Sequence, residues 1–162
     1  NKIKIGISWK SPEAKQDNKD IALLKMISIM PESLVELINL QYGDIKDDKD
    51  EILKKAKRQL ILFENIDYKN DFDSLISLIV NCDAVVTSSN VTAHFAGALG
   101  KKTFLLVPVN AYWYWQTNKT KSIWYPNICI YRQNESNNWD YPINLLKSDL
   151  IDLFKKEVKN LF

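Results

Sequence analysis

Ser88 to Asn90 is a run of three residues whose side chains commonly cap the start of a helix. It follows the apolar, β-branched run Ala84 to Thr87 and precedes Val91 to Leu99, which has helical apolar spacing and closes on Gly100. In an open α/β sheet such a loop lies at the carboxyl edge, where free amides and the helix dipole attract anions. The spacing therefore predicts a site for a phosphate-bearing ligand. The simpler interpretation is that these residues only cap a structural helix.

Lys10 is the basic residue best placed to serve such a site, because it follows the first predicted strand and so falls at the same edge, and Lys15 is the candidate to assist it. Lys101 and Lys102 precede a strand, which predicts that they lie at the opposite edge and face solvent. We therefore expect Lys10 to be the phosphate partner. The amides of the capped helix should open onto a cleft bordered by Ser8, Trp9 and Lys10.

His94 is the single histidine of the chain and lies one turn into the capped helix. Its ring either donates a hydrogen bond to a phosphate oxygen or ties the loop to a neighbouring strand, and the sequence favours neither interpretation. There is no GxSxG nucleophile pattern to support a catalytic triad. The spacing of histidine, cysteine and carboxylate residues matches no metal-binding motif.

The segment from 108 to 126 is unusually aromatic for a connection between strands. Its six large rings belong to Tyr112, Trp113, Tyr114, Trp115, Trp124 and Tyr125. Packing onto the sheet as a satellite core is the first interpretation, and contact with a ligand base or sugar ring is the second. Contact with a partner domain is a third. If the YWYW run is extended, its successive rings point to opposite faces, so they can serve different purposes.

Composition indicates one domain of ordinary size: 162 residues, 46% hydrophobic, with a net charge of +2. The lysines are spread along the chain, so no nucleic-acid-binding patch is predicted. Two isolated cysteines, Cys82 and Cys129, are predicted to be buried reduced thiols in a cytoplasmic protein. No apolar run approaches membrane-spanning length. The chain starts at Asn1, almost within a strand, which favours a fragment cut at a domain boundary.

Strand patterns and helix patterns alternate along the chain. Strands are predicted at Ile3 to Trp9, Leu34 to Leu40, Leu60 to Phe63, Ala84 to Thr87, Thr103 to Val107 and Ile128 to Arg132. Helices are predicted at Ile21 to Met30, Asp47 to Gln59, Asp71 to Asn81, Val91 to Leu99 and Ile143 to Phe162. This alternation predicts an α/β fold with a mainly parallel sheet of about six strands, covered by helices on both faces.

Six sequence motifs together resemble one family of enzymes. They are GISW at Gly6 to Trp9, LQYGD at Leu40 to Asp44, CDAVVT at Cys82 to Thr87, TAHFAGALGKKTFLL at Thr92 to Leu106, WYP at Trp124 to Pro126 and YRQ at Tyr131 to Gln133. In this order they resemble the carboxyl-terminal domain of glycosyltransferases related to bacterial heptosyltransferases. The branch most similar is the one in which that domain follows tetratricopeptide repeats. The resemblance spans nearly the whole chain.

The resemblance implies one half of a GT-B glycosyltransferase: residues 1–162 would form a single Rossmann-like, three-layer αβα domain that binds a nucleotide-diphosphate sugar. Ser88 to His94 would be the donor-phosphate loop, and Glu64 to Ile66 would lie near the nucleoside. The donor-binding residues implied are Ser8, Trp9, Lys10, Gln41, Tyr42, Ser88, Ser89, Asn90, Thr92 and His94. No further cofactor is implied. The expected partner is an amino-terminal acceptor or tetratricopeptide-repeat domain of the same protein.

The chain departs from the family pattern at Ser89 and Asn90, where many relatives carry Asp followed by Thr or Ser. A neutral pair removes a carboxylate from the donor site but keeps phosphate capping feasible. In the resembling enzymes the general base comes from the amino-terminal domain, so the expected function is donor binding rather than catalysis by this chain alone. A degenerate binding or interaction module without activity is the alternative. A response-regulator-like domain is weaker, because Ser8 and Trp9 stand where such a domain needs an acidic pair.

Overall fold

A computed structural model of the chain describes residues 2–11 and 19–159, and it describes the side chains as far as residue 155. Its strands are β1 (Ile3–Ser8), β2 (Val35–Asn39), β3 (Leu60–Ile61), β4 (Ala84–Ser88), β5 (Thr103–Val107) and β6 (Ile128–Arg132). Its helices are α1 (Leu23–Ile27), α2 (Lys46–Ala56), α3 (Phe72–Asn81), α4 (Val91–Ala98) and α5 (Asp140–Lys159), and Trp113–Trp115 forms a 3₁₀ turn. None of the helices described is both long enough and apolar enough to cross a bilayer.

The six strands form one sheet in the order β3-β2-β1-β4-β5-β6, and every neighbouring pair is parallel. The chain moves outward from β1 to β3 and then returns to place β4 on the other side of β1. In register, Ser8 lies beside Thr87. The sequence prediction of a parallel α/β sheet of about six strands is confirmed. The gap between the loops that follow β1 and β4 is the topological switch point, where open α/β sheets bind ligands.

Buried side chains alternate between the two faces of the sheet. Val86, for example, packs into a core with side chains of α1, α2 and α5, whereas Val85 packs into a core with side chains of α3 and α4. A third core lies on the α4 side, around Trp115 of the aromatic segment. The arrangement is a three-layer αβα sandwich. Because both faces of the sheet are covered, β4 and β5 are buried at every residue, as expected for central strands of a parallel sheet.

Most predicted elements begin or end at a different residue in the structure, and three of them illustrate the difference. The first helix covers five residues rather than ten and begins two residues later than predicted, after Ile21, whose N–H is bonded to the carbonyl of Trp9 at 2.9 Å. β3 ends at Ile61, and two residues later the N–H of Phe63 bonds to the hydroxyl of Tyr68 at 3.0 Å. The last helix begins at Asp140, three residues before the predicted start, because Asn138 caps it by accepting the N–H of Asp140 at 3.0 Å.

Candidate functional site at the carboxyl edge

Asn90 joins the two loops at the switch point. Its Oδ1 accepts the backbone N–H of Thr92 at 3.0 Å and the hydroxyl of Thr87 at 3.2 Å, which caps α4. Its Nδ2 donates to the Oγ of Ser8 at 2.7 Å and to the carbonyl of Lys10 at 3.3 Å. The side chain therefore caps a helix after β4 and holds the loop after β1 at the same time. The predicted cap at the start of α4 is confirmed, and Asn90 provides it.

Gln41 brings the loop after β2 into the same network. Its Oε1 accepts the hydroxyl of Ser8 at 3.1 Å and the backbone N–H groups of Trp9 and Lys10, both at 2.9 Å. Its Nε2 donates to the carbonyl of Tyr42 at 2.8 Å. Polar side chains after β1, β2 and β4 therefore form one network of hydrogen bonds at the carboxyl edge. The sequence predicted each of these residues but not the bonds between them.

Asn39 is a member of this network that the sequence analysis missed. Its Nδ2 donates to the carbonyl of Gln41 at 3.0 Å, and its Oδ1 accepts the N–H of Gln41 at 3.3 Å. These two bonds hold the backbone of Gln41 in place. A polar residue that ends an otherwise apolar buried strand was the available signal.

The residues of the network are buried and form the floor of the edge. Ser8, Gln41, Ser88 and Thr92 are at most 1% exposed, and Asn90 is 8% exposed. Among the ten predicted donor-binding residues, Lys10, Tyr42 and His94 remain partly accessible to solvent. The structure thus divides the predicted site into a buried floor that positions the loops and a rim that faces solvent.

Ser89 and Trp9 also lie in the buried part of this edge. The Oγ of Ser89 accepts the indole N–H of Trp115 at 2.9 Å, which links the predicted phosphate loop to the aromatic segment. Trp9 is 1% exposed and belongs to the core on the α1 side. The expected arrangement, in which the amides at the start of α4 open onto a cleft bordered by Ser8, Trp9 and Lys10, differs from the structure, where Trp9 and the hydroxyls of Ser8, Ser88 and Ser89 are buried. The physical reason is that these hydroxyls find partners inside the fold.

Lys10 lies at the rim and is ion-paired. Its Nζ donates to the carboxylate of Asp48 at 2.5 Å and to the carbonyl of Asp44 at 2.7 Å. Both side chains of the pair are about a quarter exposed. A phosphate reaching Lys10 would therefore compete with a carboxylate for the same ammonium group.

The two other candidate lysines that the structure describes do not lie at this edge. Lys101 and Lys102 stand before β5, at the opposite edge, as predicted. Lys101 does not simply face solvent: its Nζ donates to the carbonyls of Val80 and Cys82, at 2.9 and 2.6 Å, at the end of α3. Cations at a helix carboxyl end are favoured there by the helix dipole. Lys15 lies outside the described residues.

His94 makes structural contacts, but with the aromatic segment and not with a neighbouring strand as its structural interpretation predicted. Its Nδ1 lies 3.2 Å from the hydroxyl of Tyr125, and its ring stacks on Trp115 with 5.0 Å between centroids. Burial against these rings lowers the pKa of His94 below its usual value of 6.5. The neutral imidazole is therefore favoured. The residue is only half-buried.

Buried polar atoms without partners concentrate at the same edge. Within the part of the chain that the structure describes, such atoms are Trp9 Nε1, Thr92 Oγ1, Gln116 Oε1, Arg132 Nε and Gln133 Nε2. The five residues stand after β1, in the first turn of α4, in the loop after β5 and at the end of β6. Unpaired buried polar groups are rare and costly in folded proteins, and water or a ligand often supplies the missing bond.

The aromatic segment combines packing with exposure. Trp115 is 1% exposed and packs with Leu105 and Ile130 under the sheet, as the first interpretation predicted. Trp113 is 77% exposed and Trp124 is 56% exposed. The YWYW run is not extended, since Trp113–Trp115 forms a 3₁₀ turn. Trp115 is therefore buried and Trp113 exposed because of the turn, and not because successive residues of a strand point to opposite faces.

The fold and the network at the switch point define a Rossmann-like α/β domain. No family model matches the chain. The chain is 27% identical over 154 residues to protein FlbA of Caulobacter vibrioides. The matched region is 92% of this chain and 25% of FlbA, so the chain spans about a quarter of the length of that relative.

Proposed function

We propose that this domain binds the nucleotide-diphosphate sugar donor of a glycosyltransferase. The observation that carries the proposal is the network in which Ser8, Gln41 and Asn90 tie together the loops after β1, β2 and β4 at the switch point. This is the place where Rossmann-like sheets hold nucleotides. The unpaired buried polar atoms at the same edge support it, since nothing in the described residues satisfies them.

The proposed chemistry is stabilisation of a diphosphate leaving group. An acceptor hydroxyl attacks the anomeric carbon of the sugar, the bond from that carbon to the diphosphate oxygen breaks, and the nucleoside diphosphate leaves. The amino end of α4 and the ammonium of Lys10 would stabilise the negative charge that develops on the leaving group. The acceptor and the group that takes its proton would come from another domain, so this chain alone should bind the donor without transferring the sugar.

A panel of nucleotides tests the proposal by thermal unfolding. UDP, ADP and GDP, each with and without an attached sugar, are added to the full chain at increasing concentration. At 100 times its dissociation constant, a ligand that binds only the folded state adds about 2.7 kcal/mol to the free energy of unfolding. We expect at least one base to give this shift. A panel in which no compound raises the melting temperature would contradict donor binding.

Variants of the Lys10 pair locate the site. Lys10→Met should weaken nucleotide binding by about tenfold, because a charge-assisted hydrogen bond to phosphate is lost. Asp48→Asn should strengthen it by roughly fivefold, since the competing carboxylate becomes neutral. Lys102→Met, at the opposite edge, is the matched control and should leave the affinity unchanged. Equal loss in both lysine variants would place the ligand elsewhere.

A second candidate is a binding or interaction module that has lost its donor site. The observation that favours it is the internal use of Asn90, whose carboxamide is fully engaged with the protein itself. An edge whose side chains satisfy one another holds its shape without a ligand. This candidate predicts no thermal shift with any nucleotide of the panel. It also predicts that no nucleotide of the panel raises the melting temperature of either Lys10→Met or Lys102→Met.

A further inference from the structure

The loop after β5 presents a large exposed aromatic surface, here called the aromatic shelf, made of Tyr112, Trp113 and Trp124. Their exposed fractions are 45%, 77% and 56%. The rings of Trp113 and Trp124 meet edge to face, with 6.4 Å between centroids. Tryptophan is on average a highly buried residue, and exposed apolar clusters often mark binding sites. Two neighbouring indoles exposed to solvent therefore indicate a binding site.

The shelf is held rigidly. Arg132, the last residue of β6, bonds to the loop through its guanidinium, which donates to the backbone carbonyls of Pro108, Val109, Trp115 and Gln116. Trp115 lies beneath the loop, fully buried. A surface that is fixed before the ligand arrives loses little conformational entropy on binding. The shelf is therefore suited to stacking a flat or ring-shaped group.

The shelf also lies beside the proposed diphosphate site. Trp115, two residues after Trp113 in the chain, donates to Ser89 at the start of α4 and stacks on His94. On the other side, the Nζ of Lys19, from the connection after β1, lies 4.2 Å from the ring centre of Tyr112. The shelf thus adjoins both loops of the switch point, on the β5 half of the sheet.

We infer that the aromatic shelf is the subsite for the sugar ring of the nucleotide-diphosphate sugar. The inference rests on the proposed function. Such a donor is linear, with the diphosphate between the nucleoside and the sugar. If the diphosphate lies at the switch point and the nucleoside lies over β2, near Gln41 and Tyr42, the sugar must extend toward β5. There the C–H face of a pyranose stacks on the indole of Trp113.

Two glutamines lie close in the chain to residues that form or hold the shelf: Gln116 follows Trp113 by three residues, and Gln133 follows Arg132 directly. Gln116 and Gln133 have a buried acceptor and a buried donor, respectively, without partners among the described residues. A hydroxyl can both donate and accept, so it can satisfy either group. Because both atoms are enclosed, these two side chains have to rotate for a hydroxyl to reach them, while the backbone bonded to Arg132 stays in place.

The test compares Trp113→Ala with the parent by calorimetry, using a nucleoside diphosphate and the corresponding nucleotide sugar from the panel. Trp113 is mostly exposed, so its replacement should leave the fold intact. We expect the variant to bind the nucleotide sugar about tenfold more weakly and the nucleoside diphosphate with unchanged affinity. Tyr141→Ala removes another exposed aromatic ring, at the start of α5, and is the matched control. It should change neither affinity.

The other outcomes overturn the inference in different ways. Equal loss for both ligands would mean that the shelf stacks the base or positions the phosphates. No change for either ligand would mean that the shelf lies outside the site, while the proposed function stands. If the parent binds no nucleotide at all, the proposed function fails, and the sugar subsite fails with it.

Discussion

The hydrogen bonds of Asn90 show why its position requires an amide rather than a carboxylate. Two of its five hydrogen bonds use Oδ1 as an acceptor, and the other three use Nδ2 as a donor to the hydroxyls of Ser8 and Ser88 and to the carbonyl of Lys10. Aspartate caps helices as well as asparagine does, but an ionised carboxylate has no hydrogen to donate. The amide at position 90 thus has a structural role. It joins the loops after β1 and β4.

His94 allows a direct test of its environment, because the protein has one histidine. Burial lowers its pKa in the folded state, so the unfolded chain takes up the proton first as the pH falls through about 6.5. The free energy of unfolding should therefore be greatest above this pH and decrease below it. Titration of the single imidazole by proton NMR should give a pKa below 6.5.

His94→Gln serves as the control for this pH dependence. The difference in unfolding free energy between the parent and this variant should shrink as the pH falls from 8 to 5. A difference that stays constant or grows would show that the imidazole is not held in its neutral form. The same NMR titration, repeated with the nucleotide that binds, reports whether the rim of the site includes His94.

At the scale of the element, α4 matters because it connects the switch point with the aromatic segment. Asn90 caps its start, and His94 in its middle contacts Trp115 and Tyr125. Gly97 allows the close approach on this side: a Cβ added there would lie 2.5 Å from Cγ of Tyr125. The same Cβ would lie 2.9 Å from Cδ1 of Ile128 in β6, so the glycine is needed for close packing against the sheet as well.

Gly97→Ala should therefore destabilise the domain, even though alanine is the better helix former by about 1 kcal/mol. The overpacked methyl group should cost about 1–3 kcal/mol of unfolding free energy, measured by urea denaturation. Ala98→Gly, at the next and exposed position, is the control and should lose only about 1 kcal/mol through helix propensity. A Gly97→Ala variant as stable as the parent would contradict the close contact with Tyr125.

At the scale of the whole molecule, stability should be unevenly distributed across the sheet. β1, β4 and β5 each pair on both sides and are covered on both faces, whereas β3 has two residues and a single neighbour. Exposed apolar residues cluster at that end of the sheet: Ile61, Leu62 and Phe63 are 38%, 38% and 44% exposed. The edge at β3 is therefore the weakest part of the fold.

Hydrogen exchange followed by mass spectrometry should reveal this gradient. Amides of β4 and β5 should exchange slowest, near the rate set by global unfolding, and those of β3 should exchange orders of magnitude faster. The nucleotide that binds should slow exchange in the loops after β1 and β4 more than in β3. Equal protection of β3 and β4 would contradict the gradient.

The amino-acid sequence by itself determined the parallel α/β sheet, the cap at Asn90 and the opposite edges of Lys10 and Lys101. These features depend on local pattern: runs of apolar residues set the strands, and capping residues set the start of a helix. Only the tertiary structure decided that Ser8, Gln41 and Asn90 satisfy one another, that Asp48 pairs with Lys10, and that Trp115 is buried while Trp113 is exposed. The physical reason is that hydrogen bonds, ion pairs and burial depend on which loops of the folded chain meet. Residues as far apart as 8 and 90 become partners only once β4 is paired with β1.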